Sequence, residues 1–253
     1  MKIYDLSDTL KNGTAEPIPH KIEYVGHAEG AKQAAEMFGL RPEDFPEAKA
    51  WAVENVELCT HSGTHVDAPY HYGTHSGGKP ARTIDEMPLE WFYGDGVVLD
   101  FTHKKAGELI TEEDVKEQLQ KIGYLLKPGD IVLIRTDAYK FFGEPGYAAK
   151  SPGMSEEATL WLISQGIRLM GIDAWGWDRP FGVMAEEYRR GVRGKLWAAH
   201  FAGKKKEYCH IEKLANLDKL PRPYGFKVAA FPVKIERASA GWARVVAIFE
   251  DQA

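Results

Sequence analysis

The stretch from Cys59 to Gly78 reads CTHSGTHVDAPYHYGTHSGG, and it constrains the fold more than any other part of the 253-residue chain. Four of the nine histidines lie between His61 and His75, far more than even scattering would place there. His61, His65, Asp67 and His71 stand at offsets 0, 4, 6 and 10. Imidazoles and a carboxylate this close together suit a divalent transition metal such as Zn²⁺ or Mn²⁺. An i, i+4 histidine pair suggests a helix, but Gly63, the β-branched Thr64 and Pro69 oppose one. A straight strand puts all four side chains on one face, since their positions share one parity. It would also hold His61 and His65 about 13 Å apart at roughly 3.3 Å per residue. Rings that must each come to about 2.1 Å from one ion cannot meet across that gap. The backbone must bend, and Gly63 is the residue best able to allow it, with Pro69 setting a second corner before His71. The expectation is a metal loop, with His75 outside the tight group.

The rest of the chain sets the background. Apolar residues make up 44% and charged residues 27%, as in an ordinary globular protein. Lys and Arg total 32 against 37 for Asp and Glu, a net charge of −5. With no basic surplus to displace counterions, nucleic acid is not an expected partner. Asp5 and Asp8 interrupt the stretch where a signal peptide needs an apolar run, and about 18 consecutive apolar residues occur nowhere. The expectation is a cytoplasmic protein with no membrane segment. Cys59 and Cys209 are then expected as free, buried thiols.

Strand and helix signals interleave. An Ala-rich helix is expected over 26–38, and strands over 51–58 and 96–101. Thr111 opens a helix with Asp114 in the capping-box position and Val115, Leu119 and Ile122 at helical spacing. A strand follows over 130–136. Ser155 caps a second helix, expected to end at Gly166, and strands over 167–173, 226–235 and 242–249 complete the pattern. Interleaving of this kind indicates one α/β domain over 1–253 with a mixed sheet.

His61-Ser-Gly-Thr-His65-Val-Asp67-Ala-Pro-Tyr-His71 resembles the HxGTHxDxPxH motif of the cyclase family of metal-dependent hydrolases, which includes bacterial kynurenine formamidase and isatin hydrolase. The likeness continues at His200 in AAHF, at Glu212 in IEKL twelve residues later, and in the GIDAWGWD stretch from Gly171 to Asp178. The chain departs from the family pattern in a longer N-terminal half and in Lys213, where an Asn is usual. The resemblance implies a swivelling β/β/α domain with a mixed, barrel-like sheet and flanking helices, assembled as a homodimer or homotetramer. It implies that His61, His65 and Asp67 hold one metal, and that Asp67 bridges to a second at His200 and Glu212. One or two ions per chain follow from that. His71 is implied as the catalytic histidine, with Glu212 as a second proton carrier.

A divalent ion lowers the pKa of bound water toward about 7, so hydrolysis of an amide, cyclic amide or lactone carbonyl needs no covalent nucleophile. Trp175, Trp177 and Phe181 are candidates to line a pocket for a small planar substrate. Asp173 is a candidate to orient a ligand histidine. Lys204, Lys205 and Lys206 read as solvated surface. Two other functions fit the same residue types. Two histidines and a carboxylate also form the facial triad of non-haem Fe(II) oxygenases, and a metal can simply stabilise a non-catalytic binding protein.

Overall fold

A computed structural model describes residues 1–14, 16 and 18–250. The chain packs as two compact units, residues 10–59 and residues 1–9 with 60–253.

The smaller unit pairs strands Lys21–Val25 and Val53–Glu57 antiparallel and carries helix α1, His27–Phe38. Ala31, Ala34 and Ala35 give α1 its buried stripe. A Cβ on Gly30 would lie 1.9 Å from the Trp51 carbonyl oxygen, so only glycine allows the helix this close to that backbone.

The larger unit is built on a curled nine-stranded sheet, as the α/β reading and the family resemblance both imply. Its strands in chain order are β1 (Lys2–Asp5), β2 (His65–Asp67), β3 (Tyr93–Asp100), β4 (Ile131–Arg135) and β5 (Leu169–Ile172), followed by β6 (Cys209–Glu212), β7 (Tyr224–Ala229), β8 (Ala240–Trp242) and β9 (Val246–Phe249). The spatial order is β1-β9-β7-β3-β4-β5-β6-β2-β8. The central run from β3 to β6 is parallel, and both flanks are antiparallel. Parallel neighbours need crossover helices. These are α3 (Glu112–Ile122) and α4 (Glu156–Ser164), then α5 (Phe181–Arg189) and α6 (Ala198–Lys205) before β6.

Strand periodicity sorts the core. Val97, Leu99, Val132, Ile134, Met170 and Ile172 face one cluster with α3, α4 and α6. Val98, Ile131, Leu133, Leu169 and Ile211 face a second. A sheet buried on both sides explains the unbroken apolar run of β4.

The caps at Thr111 and Ser155 form as their sequences indicate. Thr111 Oγ1 accepts from the Asp114 N–H at 3.2 Å, Asp114 returns a bond to the Thr111 N–H at 2.8 Å, and Ser155 Oγ accepts from Ala158 at 3.1 Å. Three expectations need correction. The strand over 226–235 ends at Ala229, and that over 242–249 divides into β8 and β9. Cys209 is buried but Cys59 is only half-buried, and neither is in a disulfide. No described helix is long and apolar enough to cross a membrane.

Candidate metal centre

Two short strands create the floor of the site. β2 and β6 pair antiparallel with His65 opposite Glu212, Val66 opposite Ile211, and Asp67 opposite His210. Alternation then sends His65, Asp67, His210 and Glu212 to one side, and Val66 and Ile211 into the core. Gly63 bends the chain ahead of β2 with φ +59°. The expected loop is therefore only partly a loop. His65–Asp67 is strand, and Pro69–Tyr72 forms the one-turn helix α2. Pro69 opposes a helix running through it but sits well in the first turn of one, where its missing N–H costs nothing.

Asp67 is the hub, and its two carboxylate oxygens face different groups. Oδ1 lies 2.8 Å from His61 Nδ1 and 3.2 Å from His65 Nε2. Oδ2 lies 3.1 Å from His210 Nε2, 3.7 Å from His71 Nε2 and 3.8 Å from His200 Nε2. Glu212 Oε1 stands 3.2 Å from His210 and 3.4 Å from His200, while Oε2 lies 3.7 Å from His65.

The rings are held from behind. His65 Nδ1–H donates to the Gly63 carbonyl at 2.8 Å, and His61 Nε2 meets Ser239 Oγ at 2.9 Å. Asp178 caps α6 through the N–H groups of Ala199 and His200 at 3.0 and 2.9 Å, and its Oδ2 lies 2.6 Å from His200 Nδ1. A carboxylate behind a histidine fixes the tautomer and directs the other nitrogen outward. Asp173, the residue expected in that role, bonds to the end of β4 instead. It accepts from Thr136 N, Thr136 Oγ1 and Asp137 N at the end of β4, and burial pushes its carboxyl up to about 7.

Burial disfavours every charge here, so the directions of the pKa shifts show which pairs prevail. Burial opposes ionisation of Asp67, but the surrounding histidines, led by His71 and His65, hold its carboxyl well below the usual range. Burial likewise opposes ionisation of Glu212, yet His200 and His210 hold it low. Burial would lower His200, but Asp178 and Glu212 raise it to about 10. His61 also ends raised, because Asp67 outweighs its burial. His71 is the exception: burial prevails over Asp67 and pushes it down to about 4.

The donor set fits a divalent cation. Asp67 with His200, His210 and Glu212, and Asp67 with His61 and His71, form two groups whose ligand atoms lie within 4.8 Å of one another. Among the described residues, neither Asp67 oxygen nor His65 Nε2 has a hydrogen bond of proper geometry, although all three atoms are buried. Buried polar atoms are normally satisfied, and an ion between the imidazoles and carboxylates would satisfy these.

His61 and His71 are half-buried, and the half-buried Trp197 stacks on His200 at 4.2 Å and meets His71 edge-on at 5.1 Å. These three form the accessible side. Trp177, expected to line a pocket, is fully buried: its ring lies parallel to His210 at 5.3 Å, and its backbone N–H donates to Glu212 Oε1 at 2.8 Å. It supports the cluster from inside the core. Trp175 is half-buried and meets the exposed Phe181 edge-on at 5.2 Å. Lys213 is buried, and its Nζ donates to the His61 carbonyl at 2.8 Å, so this departure from the family pattern braces the first histidine. His75 is exposed beside Thr74, and the lysines close α6 at the surface, with Lys205 paired to Glu156 at 2.6 Å. His210, Asp178 and Trp197 were missed by sequence reasoning. The only available signal was the alternation Cys-His-Ile-Glu ending at Glu212, which puts His210 and Glu212 on one strand face.

The chain is 29% identical over 201 residues to an isatin hydrolase of Roseibium aggregatum, covering 76% of this chain and 72% of that protein. It is 28% identical over 246 residues to a kynurenine formamidase of Erythrobacter litoralis, covering 97% and 93%. The solved structure of isatin hydrolase A from Ralstonia solanacearum superimposes with a TM-score of 0.77 at 26% identity, covering 98% of this chain and 92% of that one. The family described as putative cyclase matches residues 4–179, which include every residue of the HxGTHxDxPxH motif, and the chain belongs to that family.

Proposed function

We propose that this chain is a metal-dependent hydrolase of non-peptide carbon–nitrogen bonds, acting on the carbonyl of an amide or cyclic amide of an aromatic substrate, with a lactone carbonyl, cleaved at its carbon–oxygen bond, as a further substrate class. The observation that carries this reading is the divided carboxylate of Asp67, buried with one oxygen toward His61 and His65 and the other toward His200 and His210. The similarity to an isatin hydrolase and a kynurenine formamidase supports the bond type.

His61, His65 and Asp67 would hold one ion, and Asp67, His200 and Glu212 a second, with zinc or manganese as the proposed metals. A divalent ion there supplies Lewis acidity and lowers the pKa of a water it holds from about 15.7 toward about 7. His71 sits at the accessible side with its imidazole depressed to about 4, so it is neutral at pH 7 and free to take a proton from the attacking water. The same ring can return that proton to the leaving nitrogen or oxygen. Glu212, expected to serve as ligand and proton carrier, is buried among His65, His200 and His210 and takes the Trp177 N–H, which favours the ligand role. The exposed part of Trp197 offers a planar surface on which a substrate ring can stack. Trp175 and Phe181 are proposed as outer contacts.

The cluster of imidazoles and two carboxylates exceeds a facial triad of two histidines and one carboxylate, so hydrolysis is preferred to oxygen chemistry. The test is a hydrolysis screen of N-formyl anilides, cyclic amides and lactones with chelator-stripped protein reconstituted with Zn²⁺ or Mn²⁺. Metal-restored turnover that is lost in His65→Ala is expected. A flat screen together with oxygen uptake on Fe(II) addition would overturn the proposal.

A further inference from the structure

His210 is fully buried in β6, directly across from Asp67. The rings of Trp177 and Tyr72 lie nearly parallel to its own, at 5.3 and 5.2 Å with tilts of 14° and 20°. Its Nδ1 lies 3.1 Å from the Tyr72 hydroxyl and 3.2 Å from the Tyr208 hydroxyl. Each phenol has one proton to give. Tyr72 gives its proton to the Asp67 carbonyl at 3.3 Å and Tyr208 to the Ala199 carbonyl at 3.0 Å. With those bonds made, both phenols turn lone pairs toward Nδ1, an arrangement that accommodates a ring proton there and leaves Nε2 to face the carboxylates.

Nε2 faces two carboxylate oxygens, Asp67 Oδ2 at 3.1 Å and Glu212 Oε1 at 3.2 Å. His200 repeats the arrangement. Its Nδ1 is held by Asp178, and its Nε2 lies 3.4 Å from Glu212 Oε1 and 3.8 Å from Asp67 Oδ2. Ligand atoms converge here from four side chains, a donor set that suits a divalent cation.

The spacing identifies what fits. Donors arranged tetrahedrally about 2.1 Å from an ion stand about 3.4 Å from one another. The four measured separations run from 3.1 to 3.8 Å, and all four ligand atoms lie within 4.8 Å of each other. We propose that His210 is the fourth protein donor of a tetrahedral divalent-cation site with Asp67, His200 and Glu212. This rests on the metal-centred reading above and extends it. A site with four protein donors is closed and suits a structural ion, whereas a catalytic ion keeps a position open for water. That open position belongs to the His61 and His65 side, beside the half-buried His71 and Trp197.

The test uses the full chain, stripped with chelator and titrated with Co²⁺ alone, followed by its visible absorption. Wild-type protein is expected to bind two equivalents, one with the intense absorption of tetrahedral coordination. His210→Gln, close in size and uncharged, should lose that absorption and weaken one equivalent by more than about 100-fold while keeping the other. Tyr208→Phe removes only a partner behind the ring and should cost less, about 10-fold. A second measurement needs no variant. Histidine ¹H–¹⁵N spectra of wild-type protein loaded with Zn²⁺ should show His210 protonated at Nδ1 and bare at Nε2. Two unchanged equivalents in His210→Gln, or a proton on His210 Nε2 in the loaded protein, would overturn this proposal alone. Wild-type protein that takes up no Co²⁺ would overturn the metal-centred reading with it.

Discussion

Replacing Asp178 with Asn tests how the protein prepares His200. The wild-type carboxylate lies 2.6 Å from His200 Nδ1 and accepts two N–H groups at the start of α6. Asparagine keeps one acceptor oxygen but turns an NH₂ toward groups that also donate. Loss of such an outer partner costs about 10–100-fold in metal affinity, equivalent to about 1.4–2.8 kcal/mol. The weakened cap adds about 1 kcal/mol of lost stability.

The pH dependence is more diagnostic. In metal-free protein His200 is raised to about 10, so at neutral pH it carries a proton that an incoming ion must displace. Wild-type affinity should therefore rise at least about tenfold per unit between pH 7 and 9. Without the Asp178 charge the His200 pKa falls toward the ordinary value of about 6.5, and the slope above pH 7 should drop by about one proton. The same pair affects folding of the metal-free chain. Its contribution is complete below the ordinary value of 6.5 and is lost as pH rises through about 10. Competition titrations against a chromophoric chelator at several pH values, with melts of the metal-free protein, measure all three effects. Unchanged affinity with an unchanged pH slope in Asp178→Asn would refute the role assigned to this carboxylate.

Four further outcomes follow from particular contacts. His71→Ala should fold and keep its metal yet lose about 10²–10⁴-fold in turnover, and full activity on a confirmed substrate would contradict its assignment. Trp177→Ala should cost about 3–5 kcal/mol in a denaturant melt, because the ring is fully buried against His210; a loss under about 1 kcal/mol would contradict a core role. Gly203→Ala places a Cβ 2.1 Å from Tyr72 Cδ2, so it should destabilise by about 1–3 kcal/mol and weaken metal binding, read from melts and titrations. Trp197→Ala should raise KM for aromatic substrates more than for aliphatic ones, and an equal effect on both would remove Trp197 from substrate stacking.

The local part of this site was legible and the long-range part was not. His61, His65, Asp67 and His71 lie within one short segment, so their spacing alone required a bend, and Gly63 supplies it. His200 and Glu212 came only through family resemblance, because nothing near them in sequence marks them. His210 depends on the β2–β6 register, which no local pattern reveals. Choosing Asp173 over Asp178 failed for a related reason. Both follow β5 closely, but only Asp178 lies where α6 returns to present His200. The aromatic residues show the limit of composition. Trp177 and Trp197 are equally apolar, yet one is a buried plate behind His210 and the other is half-exposed against His71. In the fold, β4 was plain because a strand buried on both faces reads as a continuous apolar run. β2 and β6 were hidden because their inward residues are the polar groups of the site.

The most direct measurement is hydrolytic turnover against added Zn²⁺ or Mn²⁺, with bound metal counted in the same samples, for stripped wild-type protein and Asp67→Asn. The account predicts that wild-type activity returns in proportion to bound ion, and that Asp67→Asn, with its hub carboxylate neutralised, neither retains the ion nor regains turnover. Wild-type turnover that survives stripping, or an Asp67→Asn protein that binds metal and turns over normally, would contradict it.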